Sequence, residues 1–253
     1  MTNLVEDKLK RAFTRILGSI KQLMLFIPQY FAIKVACKTS PRFNLNLRDI
    51  KLCVVDATDT TGFDRHYVFH TAWAARILAS IKPKFHIDIS SSLFFAGTVS
   101  AFLPVRFFDY RPANLGLSGI EESAVDIMAL PFDSNSIDSL SCMHVVEHIG
   151  LGRYGDPLNY DGDLGAISEL KRVVAVGGTL LFVVPIADKA YIAFNAHRVY
   201  EHQQIISMFE GFSLIDFCLI PDSPIDGGLV SAPSKELLSR QKYGCGCYRF
   251  SKN

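Results

Sequence analysis

The sequence predicts an α/β fold: a three-layer sandwich with a mostly parallel central sheet of about seven strands, preceded by a helical extension. Three observations predict it. Strand-like and helix-like segments alternate from residue 64 to the C terminus, the rhythm of a parallel sheet with helices on both faces. The fifth strand candidate, 179–184, is apolar throughout, as a strand buried on both faces must be. The early strands end in acidic, small or imidazole-bearing residues, where such sheets bind their ligands.

Each element rests on a local signal. Residues 1–40 read as a basic, amphipathic helical extension and 41–253 as the α/β domain. Within 16–37, Lys21, Gln22, Pro28, Gln29 and Lys34 interrupt the apolar run, so it reads as an amphipathic helix broken at Pro28. A membrane span needs roughly 20 mostly apolar residues. Such a helix suits a membrane surface, the domain itself or a protein partner. Residues 70–81 carry Trp73, Ile77 and Ile81 at helical spacing, with Pro83 beyond. Residues 85–89 form the first strand, 93–103 a short helix or turn, 105–108 the second strand, 124–128 the third and 137–143 the fourth. Residues 164–174 have helical spacing stopped by Gly177-Gly178, and 179–184 are the apolar fifth strand, closed by Pro185. A helix over 203–209 and strands over 212–219 and 247–250 complete the chain.

Composition narrows the function classes. With 253 residues, 49% hydrophobic and 20% charged, the chain can bury a substantial core. Lys plus Arg is 26 against 25 Asp plus Glu, a net charge of +1, so there is no chain-wide positive field for nucleic acid. A small-molecule partner is expected instead, and the oligomeric state stays open. Of Cys37, Cys53, Cys142, Cys218, Cys245 and Cys247, only the last two are close and no CxxC pair occurs, so reduced thiols and no metal site are expected. Residues 1–10 are polar and lack a secretory pattern, which points to the cytoplasm, with membrane association through 1–40 left open.

The strand ends carry the chemistry. Asp88-Ile89-Ser90-Ser91-Ser92 follows the first strand, and small residues there let backbone N–H groups approach a ligand. Asp109 ends the second strand, about 20 residues on, the spacing of a ribose-binding acid. Asp126-Ile127 belongs to the third, and His144-Val145-Val146-Glu147-His148 follows the fourth.

On these residues the run 88–185 resembles the class I S-adenosylmethionine-dependent methyltransferases, a Rossmann-like fold. The resemblance implies that Asp88 and the Ser90, Ser91, Ser92 turn stand at the glycine-rich cofactor turn, that Asp109 holds the ribose, and that Asp126 and Ile127, ahead of Leu130-Pro131-Phe132, flank adenine. Serines 90 and 92 depart from the family's glycines. Glu147-His148, the segment 169–174 and Gly177-Gly178 match later parts of the pattern. The wider chain resembles an uncharacterised branch of that superfamily in the block 147–157, in Asp64-Arg65-His66-Tyr67, in Trp73-Ala74-Ala75-Arg76 and in Phe194-Asn195-Ala196-His197-Arg198. Some relatives in that branch resemble proteins of surface-polysaccharide assembly, which implies a sugar or another small hydroxylated acceptor and S-adenosylmethionine as cofactor.

Methyl transfer needs alignment and removal of the acceptor's proton. His148, Glu147 and His144 are the candidate catalytic residues, with a histidine as base. Arg65, His66, Tyr67, Arg153, Tyr154, Asp156, Asn195, His197 and Arg198 are the candidate acceptor-binding residues, the 150–156 loop serving as a lid. Asp156, Asp161 and Asp163 read as a solvated loop. Two other readings stay open: a catalytically inactive scaffold or binding module, and a zinc hydrolase using His144 and His148 of the H-x-x-E-H motif.

Overall fold

The computed structural model describes residues 2–40 and 42–253, with side chains from residue 16 onward. It divides into two units, Met1–Phe63 and Asp64–Asn253.

The first unit is built on α1 (Thr2–Thr39), which runs unbroken through Pro28. The break expected there does not occur: proline removes one backbone donor and crowds the preceding turn, and the apolar helix-forming residues on both sides continue the helix. Ile16, Met24, Ile27, Phe31, Ile33 and Val35 are all exposed. By length and composition Ile16–Thr39 is apolar enough to cross a membrane, at a mean hydropathy of 1.3. The basic, amphipathic character expected of residues 1–15 lies outside the described side chains. Residues 42–63, expected with the α/β domain, are irregular apart from one 3-10 turn, Leu47–Asp49, and group with α1.

The second unit is the expected sandwich. Its helices are α2 (Arg65–Ile81), α3 (Leu93–Val99), α4 (Gly162–Val173), α5 (His202–Met208) and α6 (Lys235–Ser239). Its strands are β1 (His86–Ile89), β2 (Val105–Asp109), β3 (Ile120–Ala124), β4 (Ile137–Met143), β5 (Val174–Ile186), β6 (Tyr191–Ala193), β7 (His197–Val199), β8 (Phe212–Ile220), β9 (Val230–Ser231) and β10 (Gly244–Lys252). The main sheet has eight strands in the order β3-β2-β1-β4-β5-β10-β8-β9. The first five are parallel, and β10 is antiparallel to both β5 and β8.

The fully apolar β5 explains the layering. Leu180, Phe182 and Val184 point into one core with Ile167 and Leu170 of α4 and Ile205 of α5. Leu181 and Val183 point into the other with Trp73 and Leu78 of α2 and Phe95 and Val99 of α3. Side chains alternate across a strand, so only a strand covered on both sides can be apolar at every position.

Several boundaries differ from the sequence reading: α2 starts at Arg65 rather than 70, β10 runs Gly244–Lys252 rather than 247–250, and two further strands are shifted. The third strand is Ile120–Ala124, not 124–128. It is an edge strand with one buried side chain, so its polar sequence Ile-Glu-Glu-Ser-Ala hid it. Val125 and Ile127 are apolar because they are buried beyond the strand end. The fifth strand begins at Val174 and passes through Gly177-Gly178, where the register against β4 shifts. A Cβ on Gly178 would lie 2.8 Å from the Ala175 carbonyl oxygen and 2.9 Å from that of Ile137, so glycine permits this close approach. The short antiparallel ribbon β6-β7 left no readable sequence signal.

Candidate active site

The tips of β1 to β4 surround one cavity of ≈ 400 Å³. Ser90, Asp109, Asp126, Ile127, His144 and His148 all line it, with Gly150, Tyr154 and Asp156 from the following loop. The volume is that of a small-molecule site.

Ser90 occupies the left-handed region at φ +52, a conformation glycine adopts more readily. Its N–H donates to the Phe108 carbonyl at 2.7 Å and its hydroxyl to the same oxygen at 3.1 Å, which ties the β1 turn to β2. Ser91 Oγ accepts from Met143 N–H at 3.1 Å, and Ser92 is the N-cap residue of α3. Asp88 is fully buried below the cavity. Its Oδ1 accepts from the Ser141 hydroxyl, whose oxygen lies 2.9 Å from His86 Nε2, while its Oδ2 has no partner among the described residues. Burial raises Asp88 to about 7.

Asp109 ends β2 on the cavity wall, its Oδ1 accepting from Arg111 N–H at 2.7 Å. Asp126 makes the same kind of turn, accepting from Met128 N–H at 2.8 Å, and sets Val125, Ile127 and Met128 as an apolar flank.

The segment after β4 is one 3-10 turn, Val146–His148, not a helix, so His144 and His148 do not share a helical face. His144 is left-handed at φ +58, a rare conformation for a side chain with a Cβ and one that clusters at functional sites. Its Nδ1 lies 2.8 Å from Glu147 Oε1. Burial lowers His144 to about 4 and raises Glu147 to about 7, so the contact is a hydrogen bond to a neutral imidazole. His148 Nδ1 lies 2.6 Å from the Ala196 carbonyl oxygen, which only accepts, so Nδ1 carries the proton and Nε2 keeps its lone pair. Burial lowers the pKa of His148 as well.

The remaining predicted residues separate into two groups. His66 and Tyr67, on the first turn of α2, stack on His144 with ring centroids 5.5 and 5.4 Å away. His197 lies 6.2 Å from the His148 ring, Tyr154 packs on His148 edge-on, and Arg153 donates to the Ala196 carbonyl at 3.1 Å. Asn195 is exposed beside the β6-β7 turn. The second group holds backbone. Arg65 donates to the carbonyls of Gly227 at 2.6 Å and Pro221 at 3.4 Å. Asp156 accepts from the N–H groups of Gly150, Gly152 and Tyr154. Arg198 donates to the carbonyls of Ile149, Asn159 and Tyr160 and lies 3.5 Å from Asp163. Asp163 is buried against Arg198 and the Tyr200 hydroxyl, so this acid does not belong to a solvated loop.

Tyr110, Arg111, Met128 and Asn159 also line the cavity, His70 and Cys245 contact His144, and Tyr243 stacks on His66. Tyr110 and Arg111 directly follow β2, so the strand-tip rule marks them, whereas His70, Asn159, Tyr243 and Cys245 follow no strand. Cys245 lies at the start of β10 and Tyr243 just before it, about 100 residues from His144, and the antiparallel insertion of β10 beside β5 brings Cys245 there.

A candidate sarcosine dimethylglycine methyltransferase from Galdieria sulphuraria shares the architecture at TM-score 0.52 and 15% identity, over 74% of this chain and 86% of that one. The cyclase SpnF matches at TM-score 0.50 and 14% identity, over 72% and 81%. The fold is that of the class I S-adenosylmethionine-dependent methyltransferases. In this methyltransferase fold the antiparallel β10 inserts between β5 and β8, and the cavity lies at the parallel strand tips. Residues 125–227 match the model of a family described as Caenorhabditis protein of unknown function, DUF268. No curated protein matches the chain.

Proposed function

We propose that the protein is an S-adenosylmethionine-dependent methyltransferase acting on a small hydroxylated acceptor such as a sugar. The observation that carries this reading is the convergence of Ser90, Asp109, Asp126 and His148 on one cavity of suitable volume. The residues fit the cofactor. Asp109 presents a carboxylate for ribose hydroxyls, Val125, Ile127 and Met128 give an apolar flank for adenine, and the Ser90 turn offers close backbone approach. Bound there, S-adenosylmethionine supplies an electrophilic methyl group with a neutral leaving group. His148 lines the cavity and is held by Ala196 in the tautomer that leaves Nε2 unprotonated, 3.9 Å from Glu147 Oε1, and in this reading Nε2 accepts the acceptor's proton. Tyr154 and Arg153 cover this edge of the site.

Calorimetric titration tests the reading. Wild-type protein is expected to bind S-adenosylmethionine and its demethylated product. Asp109→Ala is expected to weaken both roughly 10–100-fold, the loss of one or two hydrogen bonds to a charged group. No binding at millimolar ligand removes the enzyme reading and leaves a binding module on the same fold.

We further propose that α1 holds the protein on a membrane. Ile16–Thr39 rises about 36 Å as a helix, enough for a hydrocarbon core of about 30 Å. Lys21 and Lys34 lie towards its ends, where long cationic side chains reach the headgroups. Full-length protein is expected to float with phosphatidylcholine vesicles and to resist extraction by high salt. Protein that stays in the aqueous fraction contradicts the proposal.

A further inference from the structure

At His144, three metal-ligating side chains meet in an arrangement that no step above uses. His66 comes from the first turn of α2, His144 from the end of β4 and Cys245 from the start of β10. One donor atom of each lies within 4.8 Å of the others; Cys245 is fully buried and the His144 side chain is 6% exposed. The Cys245 Sγ to His144 Nε2 distance is 3.4 Å. Zinc bonds of about 2.0–2.3 Å in tetrahedral geometry place ligand atoms about 3.6 Å apart, so this pair is already at chelating separation. His66 needs a side-chain shift on the order of 1 Å, and it is the least buried of the three.

The surroundings are those of a metal centre. Glu147 engages the other nitrogen of His144 at 2.8 Å, the carboxylate–histidine arrangement that orients metal-bound imidazoles. His70 packs on His144 at 5.1 Å between centroids. Its Nδ1 lies 2.6 Å from the His66 carbonyl oxygen and therefore carries the proton, which leaves Nε2 a buried lone pair without a donor. An unmatched acceptor of this kind costs free energy, and a metal-bound water beside it would supply the donor.

We infer that His66, His144 and Cys245 bind a zinc ion through two imidazoles and one thiolate, with a fourth position open to water or to an acceptor hydroxyl or thiol. Three protein ligands and one open position are the pattern of catalytic zinc, and one thiolate with two imidazoles selects zinc over magnesium or calcium. His144 also lines the cavity, so the zinc site and the cofactor cavity share one side chain. The assignment of that position to the acceptor rests on the methyltransferase reading; the zinc site itself does not.

The test is zinc titration of the full-length chain after chelator treatment, with elemental analysis after gel filtration. One zinc per chain is expected. His66→Ala and Cys245→Ser are each expected to weaken binding about 100-fold, and Cys53→Ala, an exposed thiol, to leave it unchanged. Cobalt substitution is expected to give a thiolate-to-cobalt charge-transfer band that Cys245→Ser abolishes. Circular dichroism confirms that the variants fold, and His66→Ala keeps the test open if Cys245→Ser does not. Sub-stoichiometric zinc in folded wild type, or full affinity in folded His66→Ala, overturns the site: in that case Cys245 only donates its S–H to His144. Zinc binding without S-adenosylmethionine binding upholds the site and removes its acceptor role. The reverse result upholds the methyltransferase reading and removes the site.

Discussion

Arg198→Ala is expected to lower the thermal midpoint of the ligand-free protein by roughly 10 °C. The side chain is 6% exposed and holds three carbonyls, those of Ile149, Asn159 and Tyr160, together with the Asp163 carboxylate. Truncation removes the Arg198 donor from the Ile149 and Tyr160 carbonyls, leaves Asn159 with the Gly162 N–H, and leaves Asp163 buried against the Tyr200 hydroxyl. Breaking a buried charged pair costs about 3–5 kcal/mol, and a domain of this size loses about 2–4 °C per kcal/mol. Ile149 and Asn159 line the cavity, so affinity for S-adenosylmethionine is expected to fall as well. Arg198→Lys keeps the charge but not the planar fork and is expected to recover only part of the loss. Thermal scans decide between this role and acceptor binding: an unchanged midpoint with a raised acceptor KM makes Arg198 a substrate contact.

Gly150→Val is expected to be as damaging, for a steric reason. Gly150 has φ +78, and a Cβ there would lie 2.1 Å from the Asn159 carbonyl oxygen. Its N–H donates to Asp156 at 2.6 Å and its carbonyl accepts from Asn159 N–H at 2.9 Å, so it cannot move without opening the loop. A β-branched residue in the left-handed region adds strain of about 1–3 kcal/mol to the clash. Denaturant titration is expected to show a loss above about 3 kcal/mol, with S-adenosylmethionine binding abolished. Gly155→Ala is the matched control: φ is +85 but nothing lies within 4 Å of the added Cβ, so about 1 kcal/mol is expected. Equal effects from the two variants contradict the steric account.

Much of the candidate site was legible because parallel sheets place their ligand-binding residues directly after the strands. Asp109, Asp126 and His148 follow β2, β3 and β4 in chain order, and the structure gathers all three on one cavity. Asp126 lines the cavity although the sequence reading puts it inside a strand over 124–128; it lies in the turn after β3, where its carboxylate accepts from Met128 N–H. Arg198 and Asp156 were legible only as polar residues near a loop. Whether a guanidinium or carboxylate faces a ligand or the chain's own backbone depends on which carbonyls and N–H groups the fold leaves unpaired, and local sequence carries no record of that.

The sequence by itself determined the layered α/β architecture, the order of the early strands and the acidic residues at their tips. Apolar runs, turn residues and helical spacing are local properties, and they act within about ten residues of chain. Only the tertiary structure decided that α1 continues through Pro28, that β10 inserts beside β5, and that Cys245 thereby meets His66 and His144. Those contacts join residues 58 or more positions apart. They form because burying both faces of β5 and β10 fixes where the strands lie, a condition set by the packed core as a whole.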